Sequence, residues 1–164
     1  MHRIIIASDS FKGSLSSMEV AHAAAQGIRS VFPDCQTICI ETADGGEGTA
    51  KALTSALGGA TVSAEVSDPL GRPVTAEYGI IEEKGTKTAV IGMSQASGLT
   101  LLSPDERDPL HTSTYGTGEL IIDAIGRGCG IFMVGIGGSA TNDGGTGMLE
   151  ALGCRFMGKD GRAI

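Results

Sequence analysis

A glycine-rich segment near the end of the sequence constrains the fold more than any other feature. Residues 131–136 form a hydrophobic stretch of strand length, and the segment GIGGSATNDGGTG follows at 135–147. A short helix is predicted after it, ending near Leu152 with Gly153 beyond. Glycines leave backbone amides open to a ligand, and amides at a helix N-terminus favour anions. The pattern therefore predicts a phosphate-holding strand-to-helix loop in an α/β protein.

The first third of the chain repeats a strand-loop-helix order. Residues 4–7 are predicted as a buried strand, and Ser16 with Glu19 forms a capping box that opens a helix stopped by Pro33. A second strand is predicted at 36–40, then a helix through Leu57 that is closed by glycines. This order predicts part of an α/β domain with a parallel sheet and right-handed crossovers, over residues 1–59.

The sequence pattern changes near Gly59–Ala60, where we place a domain boundary. Strands are predicted at 61–66, 74–81 and 87–93, joined by turns at 68–71 and 83–86. A helix at 117–127 and the strand at 131–136 follow. Residues 60–164 are therefore predicted as a second α/β domain with a mixed or antiparallel sheet.

The C-terminal residues are predicted to begin a hairpin. A strand is expected from Cys154 to about Met157, followed by a turn at 158–161. The sequence stops at Ile164, where the partner strand would be needed to satisfy backbone hydrogen bonds. We therefore expect a truncated protein whose second domain is incomplete at its C-terminus.

Charge and composition exclude several classes of partner. The net charge of −7 argues against nucleic acid and against anionic membrane surfaces, and 4% aromatic residues offer few base-stacking platforms. The four cysteines include no C-x-x-C pair, which is typical of reduced thiols in a cytoplasmic protein. We expect small-molecule partners, and self-association stays open.

The first polar loop contains Asp9, Ser10 and Lys12, directly after the first predicted strand. Lys12 is suited to offsetting charge on a transferring phosphoryl group, and Asp9 to acting as a base or holding Mg²⁺. The alternative is a solvated loop in which Asp9 only caps the backbone.

A second polar loop follows the second predicted strand. Asp44, Gly45, Gly46 and Glu47 precede a helix, and two acids separated by glycines suit a divalent ion that shares its ligands with substrate phosphate. Asp44 and Glu47 are thus candidate metal ligands. A tight turn with Asp44 as helix cap explains the same residues.

The glycine-rich segment itself supplies neutral donors for a phosphate or substrate. These candidates are Gly137, Gly138, Ser139, Thr141 and Asn142. Asp143 would repel a phosphate unless a cation intervenes, so it is predicted to act in metal-linked binding or as a base that activates a hydroxyl.

A fourth segment, STYGTGE, also opens a predicted helix. Thr114, Gly116 and Thr117 are candidate contacts for a carboxylate or phosphate. An elaborate helix cap is the alternative for these three residues.

A dinucleotide-binding motif competes for the same loop. Gly135, Gly137 and Ala140 match G-x-G-x-x-A after a strand, with Asp160 twenty residues further on. This pattern would indicate an NAD(P)-dependent oxidoreductase. Against it, the loop continues through residues 141–145 before a helix can begin comfortably.

Taken together, these segments resemble the glycerate kinase type 1 family. The similar stretches, in chain order, are IIIASDSFKGSLSSMEVAHAAAQGIRSVFPD, TADGGEGT, SDPLGRPV, ASGL, STYGTGELI and GIGGSATNDGGTGMLEALG. The resemblance implies two α/β domains, one Rossmann-like and one with a mixed sheet, in a longer chain. It implies ATP-dependent transfer of the γ-phosphoryl group, with Mg²⁺, to a hydroxyl of D-glycerate, giving 2- or 3-phosphoglycerate.

Two positions depart from the family pattern. Ser8 stands where the family usually has proline, and Gly92 stands where glutamate is common. On the resemblance, Asp9, Lys12 and Asp143 are the expected catalytic residues. A non-catalytic fragment that binds an organic acid or phosphate is the remaining alternative.

Overall fold

The computed structural model describes residues 3–11, 14–42 and 48–162. These residues group into two compact units, one ending at Asp44 and the other beginning at Gly45. Several predicted site residues lie outside the described residues, and their roles stay predictions: Lys12, Asp44, Gly45, Gly46 and Glu47.

The first unit is a parallel β-α-β arrangement. Strands β1 (Arg3–Ser8) and β2 (Gln36–Glu41) pair in parallel, and helix α1 (Ser17–Val31) packs against both. The predicted capping box is present at the start of α1. The Ser16 amide donates to the Glu19 carboxylate at 2.7 Å, and the Glu19 amide donates to Ser16 Oγ at 3.3 Å. Sequence and structure therefore agree on this parallel pair.

The second unit contains a four-stranded mixed sheet. Its strands are β3 (Ala60–Ser67), β4 (Pro73–Glu83), β5 (Thr86–Gly92) and β6 (Cys129–Gly135), in the order β3-β4-β5-β6. The first three strands pair antiparallel, and β5 pairs with β6 in parallel. The predicted turn after β3 is confirmed, because the Gly71 amide donates to the Asp68 carbonyl at 3.0 Å.

Helices cover both faces of this sheet. They are α2 (Thr49–Ala56), the single turn α3 (Ser94–Ser97), α4 (Tyr115–Gly126) and α5 (Thr146–Ala151). Tyr78 of β4 bonds to Asp123 of α4, whereas the next residue, Gly79, faces Thr54 of α2. Because successive strand residues point to opposite faces, α4 and α2 lie on opposite sides of the sheet. The core beneath α4 consists of Val66, Ala76, Tyr78, Ala89, Ile91, Ala96, Leu120, Ala124 and Cys129.

Two details differ from the sequence-based picture. Helix α2 contacts β3, β4 and β5, so it packs with the second unit in this structure. The division into domains 1–59 and 60–164 stays a prediction for the complete domains. The strand expected at Cys154 is not formed within the described residues, although the Gly161 amide closes the predicted turn on the Gly158 carbonyl at 2.9 Å.

Among the described helices, none has the length and apolar character to cross a membrane.

Candidate functional site

The carboxylate of Asp143 ties the glycine-rich loop to the start of α4. Its Oδ2 atom accepts hydrogen bonds from the Thr114 amide and the Thr114 hydroxyl, both at 2.8 Å, and from the Gly147 amide at 3.1 Å. Its Oδ1 atom accepts from the Gly145 amide at 3.0 Å. We call this set of four hydrogen bonds the Asp143 clamp.

Thr114 extends the clamp to a second helix. The Met148 amide, in the first turn of α5, donates to Thr114 Oγ1 at 2.9 Å. The Thr114 hydroxyl therefore accepts from α5 while it donates to Asp143, and the residue is only 4% exposed. The glycine-rich loop, the start of α4 and the start of α5 are thus fixed to one another.

The clamp determines the protonation of Asp143. Partial burial alone would raise the pKa of this carboxyl, but the hydrogen bonds from Thr114, Gly145 and Gly147 outweigh it and lower the pKa below its usual value. Asp143 is therefore ionised, and its lone pairs point at donors of its own chain. Its negative charge is met by three amide groups and one hydroxyl group of the same chain.

Close backbone contact fixes the first turn of α4 against the sheet. A Cβ atom added to Gly116 would clash with the carbonyl oxygen of Ser67, at the end of β3. The Ser67 amide in turn donates to the Glu119 carboxylate at 2.6 Å. What the structure shows for Gly116 is the close approach of the helix to the strand, and its predicted contact with a ligand stays a prediction.

The first part of the glycine-rich loop runs beside the segment that follows β5. The Leu99 amide donates to the Gly138 carbonyl at 2.9 Å, and the Ala140 amide donates to the Ser97 carbonyl at 2.8 Å. Gly138 has φ of +76°, a backbone conformation that favours glycine. These two hydrogen bonds hold the turn at residues 138–140 beside residues 97–99, just before Asp143 in the chain.

Hydroxyl groups cluster around this turn. Ser139 Oγ and Thr141 Oγ1 are 2.8 Å apart, as are the buried Ser97 Oγ and Thr117 Oγ1. Thr112 Oγ1 donates to the Ala140 carbonyl at 2.8 Å. The structure therefore brings together the predicted residues of the glycine-rich loop and of STYGTGE, while Asn142 is exposed beside them.

Sequence reasoning missed the supporting residues Ser97, Thr112 and Glu119. Their partners lie 20 to 52 residues away along the chain, so no local pattern identifies them. Ser97 lies within ASGL, one of the stretches that carries the family resemblance, which was the available signal.

The first unit presents its own polar loop after β1. The Ser8 carbonyl accepts from Ser17 Oγ at 2.6 Å and from Thr42 Oγ1 at 2.5 Å, which ties the ends of β1 and β2 to α1. Asp9 is exposed, and its carboxylate accepts from the Ser10 amide at 2.7 Å. Asp9 and Ser10 therefore lie just beyond the carboxyl end of β1.

The geometry weakens the dinucleotide interpretation of the same loop. A helix should begin directly after the glycine fingerprint so that the third small residue packs it against the strand. Here α5 begins at Thr146, six residues beyond Ala140. Ala140 is instead held by Ser97 and Thr112.

A metal centre is not apparent in the described part of the chain. Within residues 3–11, 14–42 and 48–162, no three His, Cys, Asp or Glu side chains gather as a metal site would require. The predicted ligands Asp44 and Glu47 lie outside these ranges.

The glycerate kinase family model matches residues 4–164, which include every loop described above. The chain belongs to the glycerate kinase family. Within this family assignment, the clamped glycine-rich loop and the start of α4 are the best-defined part of the candidate site.

Individual relatives are similar to this chain over almost its whole length. The chain is 49% identical over 162 residues to the glycerate 2-kinase of Escherichia coli K12, covering 99% of this chain and 42% of that relative. It is 48% identical over 164 residues to a glycerate kinase of Halalkalibacterium halodurans, covering 100% and 43%. A crystal structure of a putative glycerate kinase 2 from Salmonella typhimurium LT2 aligns with TM-score 0.76 and 48% identity, over 99% of this chain and 43% of that one. The chain thus spans about two fifths of these relatives.

Proposed function

We propose that the complete protein is an ATP-dependent glycerate kinase. It transfers the γ-phosphoryl group of ATP to a hydroxyl of D-glycerate and yields 2- or 3-phosphoglycerate. The observation that carries this proposal is the family match over residues 4–164, which includes the clamped glycine-rich loop. The relatives named glycerate kinase are more than twice as long, so the proposed activity belongs to the complete polypeptide.

The glycine-rich loop is proposed to bind an anionic group, either the ATP phosphates or the glycerate carboxylate. Glycines at 137 and 138 leave the backbone open, and Ser139, Thr141 and Asn142 supply neutral donors. The start of α4, a helix of 12 residues, adds the favourable end of its dipole. Phosphoryl transfer depends mainly on positioning and charge stabilisation, which a rigid loop of this kind provides.

Asp143 is better suited to positioning this loop than to accepting a proton from substrate. All four hydrogen bonds of the clamp would be disturbed if the carboxylate turned towards a ligand. Its lowered pKa also makes it a weak base. We therefore propose that Asp143 positions Thr114 and residues 145–147, and that the exposed Asp9 is the stronger candidate for the base.

ATP and Mg²⁺ are proposed from the family rather than from geometry. When bound, ATP supplies the phosphoryl group and Mg²⁺ neutralises its charge. Asp44 and Glu47 stay the candidate ligands, and Lys12 stays the candidate cation beside the phosphoryl group. The free cysteines Cys35, Cys39, Cys129 and Cys154 are compatible with the proposed cytoplasmic location.

The test is an assay of the complete polypeptide with ATP and D-glycerate, with the product identified by ³¹P NMR. We expect equimolar ADP and phosphoglycerate. The coupling of the new phosphorus signal to the protons of the phosphorylated carbon distinguishes the 2- from the 3-isomer. ADP release without phosphoglycerate, or binding without turnover, would contradict the proposal.

Variants of the two acids separate base from positioning residue. Asp9→Asn is expected to lower kcat with little change in thermal stability, with Asp34→Asn, another exposed aspartate, as the matched control. Asp143→Asn is expected to lower both stability and the affinity for anionic substrate. Equal losses of kcat without loss of stability in both variants would show that Asp143 acts directly.

A further inference from the structure

Among the residues that the structure describes, Ser94 has a buried hydroxyl without a hydrogen-bond partner. Ser94 begins α3, two residues after the end of β5, and is only 8% exposed. The other buried serines and threonines of the described residues all have a bonded hydroxyl: Ser17, Thr54, Ser97, Thr112, Thr114 and Thr117. Buried polar groups are nearly always paired, so an unpaired one calls for an explanation. No fully enclosed side-chain oxygen of the described residues lacks a partner, so Ser94 Oγ keeps a small accessible surface that a ligand can reach.

Two glycines leave space beside this hydroxyl. A Cβ atom added to Gly92 would lie 4.0 Å from Ser94 Oγ, and one added to Gly138 would lie 3.8 Å from it. No described atom would come closer to the Cβ at Gly92 than Ala50 Cβ at 3.8 Å, and the φ of Gly92 lies outside the left-handed region. Unlike Gly116, Gly92 is therefore required neither by its backbone conformation nor by the packing of the described residues. What glycine supplies at this position is room next to the Ser94 hydroxyl.

This space lies at the carboxyl ends of two parallel strands. Gly92 of β5 pairs with Gly135 of β6, where the glycine-rich loop begins. Ligands of open α/β sheets collect at this edge. Within the described residues, the amides of Gly137 and Gly138 donate to no other group, and free successive amides in a turn of this kind bind anions. The Ser94 hydroxyl and two free amides therefore lie at the same edge of the sheet.

The donors around this space are neutral. Residues 92–99 and 135–142 contain no lysine, arginine or histidine, and Asp143 follows directly. Nucleotide phosphates carry several negative charges, and the glycine loops that bind them commonly add a lysine. A single carboxylate needs no such cation, because N–H and O–H donors can match its charge, as they do in the Asp143 clamp. The donor set therefore fits a small monocarboxylic acid better than a polyphosphate.

We propose that Ser94 is a substrate-binding residue whose hydroxyl, with the amides of Gly137 and Gly138, holds the carboxylate of D-glycerate. Gly92 provides the space for this carboxylate, and the phosphates of ATP bind outside it. The inference rests on the proposed function and deepens it, because it assigns one of the two substrates to this part of the glycine-rich loop.

The first test compares Ser94→Ala with the wild type in the complete polypeptide. Isothermal titration calorimetry gives the dissociation constants for D-glycerate and, separately, for ATP with Mg²⁺. We expect D-glycerate to bind about 10-fold more weakly, since a hydrogen bond to a charged group is lost, and ATP to bind within about twofold of the wild type. The melting temperature should stay within about 2 °C, because the hydroxyl bonds to no described group. Ser63→Ala, at an exposed serine of β3, is the control and should change neither constant.

The second test fills the proposed space with Gly92→Ala. The new methyl group would meet no described atom closer than 3.8 Å, so the fold should be retained, whereas D-glycerate should bind at least about 10-fold more weakly. Gly130→Ala is the matched control, since Gly130 lies near the opposite end of β6 and an added Cβ there meets no described atom within 4 Å. Equal effects of the two substitutions on D-glycerate affinity would contradict the proposal.

The outcomes separate this inference from the proposed function. If the enzyme phosphorylates D-glycerate but Ser94→Ala leaves its affinity unaltered, or weakens ATP alone, the inference fails and the function stands. If D-glycerate binds in a manner that depends on Ser94 but is not phosphorylated, the function fails and the site stands. A wild-type polypeptide that does not bind D-glycerate would overturn both.

Discussion

The two ends of α4 are held to the rest of the second unit by different means. At its N-terminal end, buried residues leave no spare volume: Gly116 lies against the Ser67 carbonyl, and Thr114 joins the Asp143 clamp. At its C-terminal end, Tyr78 donates to Asp123 at 2.7 Å, and Asp123 pairs with Arg127 at 2.7 Å near the surface. The N-terminal end is thus held by close backbone contact, whereas the C-terminal end is held by side-chain pairs, which we expect to tolerate change better.

This difference can be tested at glycines, because α4 contains them at both ends. An added Cβ at Gly126 would meet no atom within 4 Å, whereas at Gly116 it would meet backbone. Substitutions at matched positions of one helix therefore test whether the N-terminal end is the constrained one.

The largest expected effect is that of Gly116→Ala. The new methyl group would displace either β3 or the start of α4, since the Ser67 carbonyl cannot move independently of its strand. We expect a loss of about 3 kcal/mol in the free energy of unfolding. Urea denaturation measures it, and a loss below about 1 kcal/mol would show that the contact is not rigid.

Asp143→Asn is expected to have the next largest effect. The amide group must place an N–H against a donor, because Oδ2 of the carboxylate accepts three hydrogen bonds and Oδ1 accepts one. A loss of about 2 kcal/mol in the free energy of unfolding is expected. Asp123→Asn at the other end of α4 is the matched control and should lose less. Equal losses would remove the distinction between the two ends.

The pH dependence of stability follows from the same carboxylate. Because the pKa of Asp143 is lowered in the folded protein, its contribution is present above the unfolded aspartate pKa of about 3.9. It is lost as the pH falls through the lower folded value. Denaturation series between about pH 6 and pH 2 should show a steeper fall for the wild type than for Asp143→Asn. Parallel curves would mean that the carboxylate does not hold the loop.

Tyr78→Phe tests the C-terminal end of α4, where we expect changes to be tolerated better. Burial, reinforced by the hydrogen bond to Asp123, raises the pKa of the Tyr78 hydroxyl, so it is a neutral donor throughout the physiological range. Its removal leaves Asp123 paired with Arg127. We expect a loss of about 1 kcal/mol, measured by urea denaturation. A loss larger than that of Asp143→Asn would reverse the comparison.

The smallest expected effect is a gain. Gly126→Ala replaces a glycine at the last residue of α4 with a better helix former in open space, which should stabilise the protein by about 0.5 kcal/mol. Differential scanning calorimetry would show a small rise in melting temperature. A clear destabilisation would indicate that this end is as crowded as the other.

Local features of the fold were predictable from the sequence because their partners are close along the chain. The capping box joins Ser16 to Glu19, three residues apart, and the turn after β3 joins Asp68 to Gly71. The short strands joined by tight turns likewise predicted the antiparallel pairing of β3, β4 and β5, because such turns connect strands that are neighbours in the sheet.

The candidate site was predictable in location but not in detail. The glycine-rich segment identified the loop, yet the role of Asp143 depends on Thr114, 29 residues earlier in the chain. The need for glycine at 116 depends on Ser67, in a different strand. Contacts of this kind arise only when the sheet brings distant segments together, so sequence alone left Asp143 as a candidate base.

The most direct test of the account is a titration of the complete polypeptide with D-glycerate and with ATP, followed by backbone amide chemical shifts. The account predicts that at least one of the two ligands produces its largest shift changes at residues 137–142 and 114–117. It also predicts that Asp143→Asn weakens that response, whereas Asp123→Asn does not. Shift changes that avoid both segments for both ligands, or a response that Asp143→Asn leaves unaltered, would contradict it.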